Sequence, residues 1–123
     1  MADVRFVLPV IAFVGTACQA TPPAAQPPAA SSATVAYYQY AGSKQCERGG
    51  KSPEGLKQEL AAAGLRVDSI ACGHDGRMYA QSCGGPDGRI LIAQVPQAQA
   101  AAVARLGLNP LRELPEAAPL ACR

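Results

Sequence analysis

Stretches of alternating or continuous apolar residues predict four β-strands between residues 34 and 95. TVAYYQYA (34–41) is rich in strand-forming residues and predicts the first strand. LRVDSIAC (65–72) and RMYAQSC (77–83) predict the next two, which the turn GHDG (73–76) would join. RILIAQV (89–95) is almost continuously apolar, which indicates a central and well-buried strand.

Two helices are predicted from helical apolar spacing and from the residues at their ends. The first begins at Ser52-Pro53-Glu54, where serine caps the helix, proline suits the first turn and an acid lies near the positive end of the dipole. Gly64 ends it, and its apolar face recurs at Leu56, Leu60 and Ala63. The second helix follows Pro96 as QAQAAAVARL (97–106) and is closed by Gly107.

The order of these elements, β-α-β-β-β-α, predicts an α+β fold. Two helices would pack on one face of a small antiparallel sheet, in a ferredoxin-like variant. The tail after Gly107 leaves room for one more short strand, but its prolines disfavour a long one.

The N-terminal segment predicts export. Residues 6–17 are almost wholly apolar and end in small residues, a length that fits a signal peptide and is too short for a transmembrane helix. Gly15-Thr16-Ala17-Cys18 resembles the cleavage box of bacterial lipoprotein precursors. That resemblance implies a signal peptide over residues 1–17 and a lipid on Cys18, which would anchor the chain in a membrane.

The residue after Cys18 is Gln19 and not aspartate. The same resemblance then implies an outer-membrane lipoprotein that faces the periplasm of a Gram-negative cell. The alternative is a soluble secreted or periplasmic protein cut after Ala17 or Ala20. Five cysteines favour the lipoprotein, because a lipid on Cys18 leaves an even number for disulfides. Residues 18–33, rich in proline and alanine, predict a disordered linker, and residues 34–123 one domain.

Composition places limits on the core and on the partners of this domain. The chain has no tryptophan, and both phenylalanines precede Cys18, so a lean aliphatic core would benefit from disulfides in an oxidising compartment. A net charge of +2 without a basic cluster argues against nucleic acid as a partner. Tyrosine joins an apolar ring to a polar tip and suits interfaces, so a surface for a partner is predicted at Tyr37, Tyr38, Tyr40 and His74.

Four cysteines of the domain allow three pairings. If residues 77–83 form a strand, that strand carries Cys83 to the opposite end of the sheet from Cys72. The two cysteines are then too far apart for a disulfide. The strand order then predicts Cys46–Cys72 and Cys83–Cys122. An extended course through GHDG would instead make Cys72–Cys83 feasible.

Two short motifs raise the question of a chemical site. Cys72, His74 and Asp75, with Cys83, could bind a metal or a small ligand, but zinc needs reduced thiolates and the alternative is a polar turn. GGKS (49–52) echoes a phosphate-binding loop, yet Gln45 stands where that motif requires glycine, which favours a plain loop before a capped helix. With one histidine and no G-x-S-x-G or C-x-x-C motif, the sequence predicts no enzyme, cofactor or metal.

Residues 37–50 and 71–96 also resemble segments of small, uncharacterised lipoproteins of Gram-negative bacteria, a resemblance that extends over most of 37–115. It implies an envelope location and a single compact domain. The expected function is a non-catalytic, membrane-anchored binding module for an envelope protein or ligand. The alternatives are a metal- or small-ligand-binding periplasmic protein that uses CGHDG, and an enzyme inhibitor that presents the turn GGPDG (84–88).

Overall fold

A computed structural model describes residues 33–123, together with the single positions Pro9 and Gly15. The predicted signal peptide, the lipid on Cys18 and the linker over 18–32 lie outside the described residues. The described part contains five strands, β1 (Thr34–Tyr40), β2 (Ser69–His74), β3 (Arg89–Pro96), β4 (Asn109–Pro110) and β5 (Ala118–Pro119), and the helices α1 (Pro53–Ala62) and α2 (Ala100–Arg105).

The strands form one antiparallel sheet in the order β4-β1-β3-β2-β5. Helix α1 connects β1 to β2, which lie on either side of β3, and α2 connects β3 to β4, which lie on either side of β1. The predicted α+β fold with a small antiparallel sheet and two helices is confirmed. Within residues 33–123, no helix has the length and apolarity needed to cross a bilayer.

One face of the sheet forms the main core with both helices. Alternate residues of the central strand β3 point to this face, where they meet Leu60 of α1 and Val103 of α2. The strand residues in this core are Tyr37, Cys72, Leu91, Ala93 and Val95. The apolar run predicted as a central strand therefore has partners on both edges and a helical layer above it.

The opposite face is covered by the chain's own tail. Tyr38 and Ile90 pack there against Leu114, which follows a 3₁₀ turn over Leu111–Glu113. The prolines of this tail limit β4 and β5 to two residues each, as expected for residues that cannot donate to a ladder. The tail thereby covers part of this second face, while Tyr40 at its edge stays exposed.

Helix α1 begins and ends where its sequence predicts. The Ser52 hydroxyl accepts a hydrogen bond from Gly55 N at 3.0 Å. At the other end, Leu65 N donates to Leu60 O at 3.0 Å and Gly64 N to Ala61 O at 2.9 Å. Gly64 has a φ of 76°, the left-handed conformation that this pattern of capping bonds requires.

Four local predictions are wrong. Residues 77–83 form a loop, so the order β-α-β-β-β-α does not hold, and β2 extends through Gly73 and His74 instead of turning there. The loop bends back because the Tyr79 hydroxyl bonds to Asp75, four residues earlier. Residues 65–68 lie outside β2, where the Gln99 amide bonds to both N and O of Arg66. Residues 97–99 form a 3₁₀ turn, which shortens α2.

The four domain cysteines form two disulfides, but the predicted pairing is wrong. Cys46 bonds to Cys83, with Cα atoms 5.0 Å apart, and Cys72 bonds to Cys122, with Cα atoms 5.3 Å apart. The error follows from the strand that was expected at 77–83. In the actual loop, Gly84 N donates to Gln45 O, which places Cys83 beside Cys46. Strand β5 pairs with β2, and Leu120 N donates to Cys72 O, which places Cys122 beside Cys72.

Candidate functional site

Two of the sequence-predicted site residues, Tyr40 and His74, lie beside the buried carboxylate of Asp75 at one end of the sheet. The Asp75 side chain is fully out of solvent. Its Oδ2 accepts hydrogen bonds from the hydroxyls of Tyr40, at 3.0 Å, and Tyr79, at 2.5 Å. Its Oδ1 accepts one from Arg77 N at 3.0 Å. These bonds fasten the β2–β3 loop to the end of β1.

Hydrogen bonding keeps this carboxylate ionised. Burial alone would raise the pKa of Asp75, but the bonds from Tyr79, the Arg77 amide and Tyr40 outweigh it, so the pKa lies below its usual value. The same carboxylate raises the pKa of Tyr79, chiefly through their hydrogen bond. Every acceptor here is satisfied from within the chain, which indicates a structural role for Asp75.

Gly88 lies against this cluster and tolerates no side chain. Its φ is 71°, and an added Cβ would lie 2.5 Å from the Tyr79 ring and 2.8 Å from both Asp75 Oδ1 and His74 Nε2. Gly88→Ala is therefore expected to lower the free energy of unfolding by about 3 kcal/mol, from overpacking and left-handed strain together. Urea denaturation followed by far-UV circular dichroism measures the loss.

Gly64→Ala is the matched control. Gly64 has a φ of 76° and open space where its Cβ would lie, so only backbone strain applies and the expected loss is about 1 kcal/mol. Equal losses at the two positions would contradict tight packing around Asp75.

The tyrosine run divides between the two faces of the sheet. Tyr37 is buried in the helix-covered core and Tyr38 under the tail, so both rings are occupied by the protein's own packing. Tyr38 and Tyr40 share a face, and their ring centroids are 5.7 Å apart in an edge-to-face arrangement. Tyr40 retains 41% exposure, which leaves Tyr40 and His74 as the accessible members of the predicted interaction surface.

The residues of the suggested metal site are committed to other bonds. Cys72 is bonded to Cys122, so it has no thiolate to offer. His74 Nδ1 accepts a hydrogen bond from Gly76 N at 3.0 Å. Within residues 33–123, no group of three or more His, Cys, Asp or Glu side chains is placed to hold a metal ion.

A cleft lies beside the N-terminus of α1, and one cysteine of each disulfide, Cys46 and Cys72, is part of its lining. This cleft has a volume of about 800 Å³, within the range of small-molecule sites. The loop over 46–53, which includes the GGKS segment, lines this cleft, and Ala41, Cys46 and Pro53 form its accessible apolar floor. The lining is completed by Ser43, Cys72, Arg89, Ile90, Leu91 and Arg123.

Arg89 and Asp87 organise the polar side of the cleft. The Ser43 hydroxyl donates to Asp87 Oδ2 at 2.6 Å, and Arg89 N donates to Asp87 Oδ1 at 3.1 Å. Burial alone would raise the pKa of Asp87, but these bonds and the charges of Arg89 and Arg123 lower it overall. The Arg89 side chain is 17% exposed, so its guanidinium is a largely desolvated cation beside the cleft.

Sequence reasoning did not find this cleft. The GGKS segment was noted as a loop, but its facing residues come from the start of β3 and from the last residue of the sequence, far away along the chain. Arg89 also precedes a strongly apolar run and was interpreted only as the start of a buried strand. A basic residue at the start of an otherwise apolar strand was the one local signal available.

No protein-family model, curated protein sequence or solved structure matches this chain.

Proposed function

We propose that this protein is a non-catalytic binding module of the bacterial cell envelope, anchored by a lipid on Cys18 and binding a small ligand in the cleft beside Arg89. The cleft is the observation that carries the binding role. Its volume of about 800 Å³ suits a small molecule, and it joins an apolar floor to a few polar groups.

The groups around the cleft favour binding over catalysis. Cys46 and Cys72 are oxidised, so neither offers a nucleophilic thiolate. The chain's one histidine, His74, does not line the cleft. Ser43 and Ser52 hydrogen-bond to Asp87 and Gly55, and neither bond supplies a general base of the Ser–His kind.

Two disulfides support the envelope location, because such bonds persist in oxidising compartments. They also account for every cysteine after Cys18 and leave that residue for the lipid. The proposed location is the outer membrane, on the side that faces the periplasm. We further propose a ferredoxin-like variant as the architecture; the order β4-β1-β3-β2, with each helix linking strands that flank a third, supports it.

Metabolic labelling with an alkyne-tagged fatty acid in a Gram-negative host tests the anchor. The full chain is expected to incorporate the label and to sediment with outer membranes. Cys18→Ser is the matched control, since it removes one sulfur outside the described domain and is expected to abolish labelling. Label that persists in Cys18→Ser, or an unlabelled wild-type chain, would contradict the proposal.

A further inference from the structure

We infer that the cleft selects anionic ligands, with the guanidinium of Arg89 binding the anion and Ala41, Cys46 and Pro53 contacting an apolar body. This inference rests on the proposed binding role of the cleft. The ligand class is a small amphiphile with one carboxylate, sulfonate or phosphate.

Most hydrogen-bond donors of the Arg89 guanidinium have no acceptor among the described residues. A guanidinium carries five N–H groups in a planar fork. Within residues 33–123, its one side-chain hydrogen bond runs from Nη1 to Ala121 O at 3.3 Å. Its Nε lies 4.0 Å from Asp87 Oδ2, at the limit of an ion pair. A carboxylate in the cleft would satisfy the remaining donors, which water reaches poorly because the side chain is 17% exposed.

Charges on the lining also favour an anion. Four basic side chains and one acidic side chain line the cleft: Arg48, Lys51, Arg89, Arg123 and Glu47. Lys51 is already engaged with Glu59 and Gln39, so it contributes little free charge. Arg48 forms no ion pair with any residue of the described domain, and it lies on the rim.

The acids near the site do not cancel this preference. Asp87 accepts hydrogen bonds from Ser43 and from the Arg89 backbone, and at 4.0 Å from Arg89 Nε it does not occupy the guanidinium donors. Glu47 is exposed on the rim, where solvent screens it. The helix N-terminus adds little, because Gly55 N is already bonded to Ser52.

An apolar floor sets the other half of the specificity. Ala41 and Pro53 are half-buried and Cys46 is exposed, so these lining residues keep surface that an apolar ligand can cover, whereas Leu91, at 2% exposure, offers almost none. A purely inorganic anion would leave this floor uncovered and is expected to bind more weakly than an anion with a hydrocarbon body.

The test compares two ligands that differ in charge. The mature chain, 18–123 with Cys18→Ser, is exported behind an ordinary secretory signal so that no detergent is needed. It is titrated with 4-phenylbutyrate and with 4-phenyl-1-butanol while ¹H–¹⁵N amide shifts are followed. The carboxylate is expected to bind about tenfold more tightly than the alcohol, with the largest shifts at residues 46–53 and 89–91.

Variants identify which arginine gives the preference for the carboxylate over the alcohol. Arg89→Gln is expected to reduce the carboxylate preference to about one, and Arg48→Gln, which breaks no internal bond, to reduce it about threefold. Arg105→Gln on the exposed side of α2 is the matched control and is expected to change nothing.

Equal affinity for both ligands, unaffected by the arginine variants, would overturn the charge selection while leaving the cleft as a binding site. Shifts confined to residues outside 41–53 and 89–91, or no binding of either ligand, would also overturn it. The fatty-acid labelling of Cys18 is independent of all three results, so failure of the proposed envelope role is recognised separately.

Discussion

Replacing Cys72 and Cys122 by serine is expected to lower the free energy of unfolding by about 4 kcal/mol, because their bond closes a loop with a sequence separation of 50 in the unfolded chain. Replacing Cys46 and Cys83 removes a loop with a separation of 37, with an expected loss also of about 4 kcal/mol. A small domain has a total stability of about 5–15 kcal/mol, so loss of both bonds is expected to unfold it. Urea denaturation of the exported chain measures each loss.

A mixed double variant provides the control for pairing. Cys46→Ser combined with Cys72→Ser removes one partner from each disulfide and leaves Cys83 and Cys122 as free thiols. It is expected to resemble the chain without disulfides in stability and to react with two equivalents of a thiol reagent. A mixed variant as stable as a matched pair, with no reactive thiol, would contradict the observed connectivity.

Asp75→Ala is expected to lower the free energy of unfolding by about 3 kcal/mol, because Tyr79 and the Arg77 amide lose an ionised acceptor inside the protein. Tyr40, at 41% exposure, can bond to water instead and limits the loss. Asp68→Asn is the control: Asp68 pairs with an Arg66 side chain that is 72% exposed, and such pairs contribute about 0.5 kcal/mol.

The same cluster sets the pH dependence of stability. The pKa of Asp75 is lowered from 3.8 on folding, so its contribution is present above pH 3.8 and is lost as pH falls through the folded value. The pKa of Tyr79 is raised from 10.0, so its contribution is present below pH 10.0 and is lost as pH rises toward the folded value. Stability is therefore expected to fall on both sides of this range.

Asp75→Asn should flatten both ends of that profile, since the carboxylate is the first cause of the Tyr79 shift. Urea midpoints from pH 2 to pH 11 follow the acid and alkaline losses, and absorbance at 295 nm follows tyrosine ionisation. Asp87, whose pKa is also lowered, keeps part of the acid dependence in the variant. An unchanged tyrosine titration in Asp75→Asn would contradict the bond between Asp75 and Tyr79.

Features with local causes were predictable from the sequence. Helix α1 begins at Ser52 and ends before Gly64, because a serine cap and a left-handed glycine act within one turn of the helix. The central strand β3 was predictable because its sequence is almost continuously apolar. The class of the fold followed from these elements.

Features that depend on contacts between residues far apart in the sequence were not predictable. Residues 77–83 have the composition of a strand, but the Asp75–Tyr79 bond and the disulfide to Cys46 hold them as a loop. That one error changed the predicted position of Cys83 and with it both disulfides. The cleft depends on the same long-range contacts, since the sheet and the disulfides bring Arg89 beside the 46–53 loop, which is far from it in the sequence.

The most direct test of an exported, lipid-anchored and disulfide-bonded domain is mass spectrometry of the native protein under non-reducing conditions. The expected result is a chain that begins at an acylated Cys18, with peptides linked through Cys46–Cys83 and Cys72–Cys122. A chain that retains Met1, or one with reduced thiols at these four positions, would contradict the account.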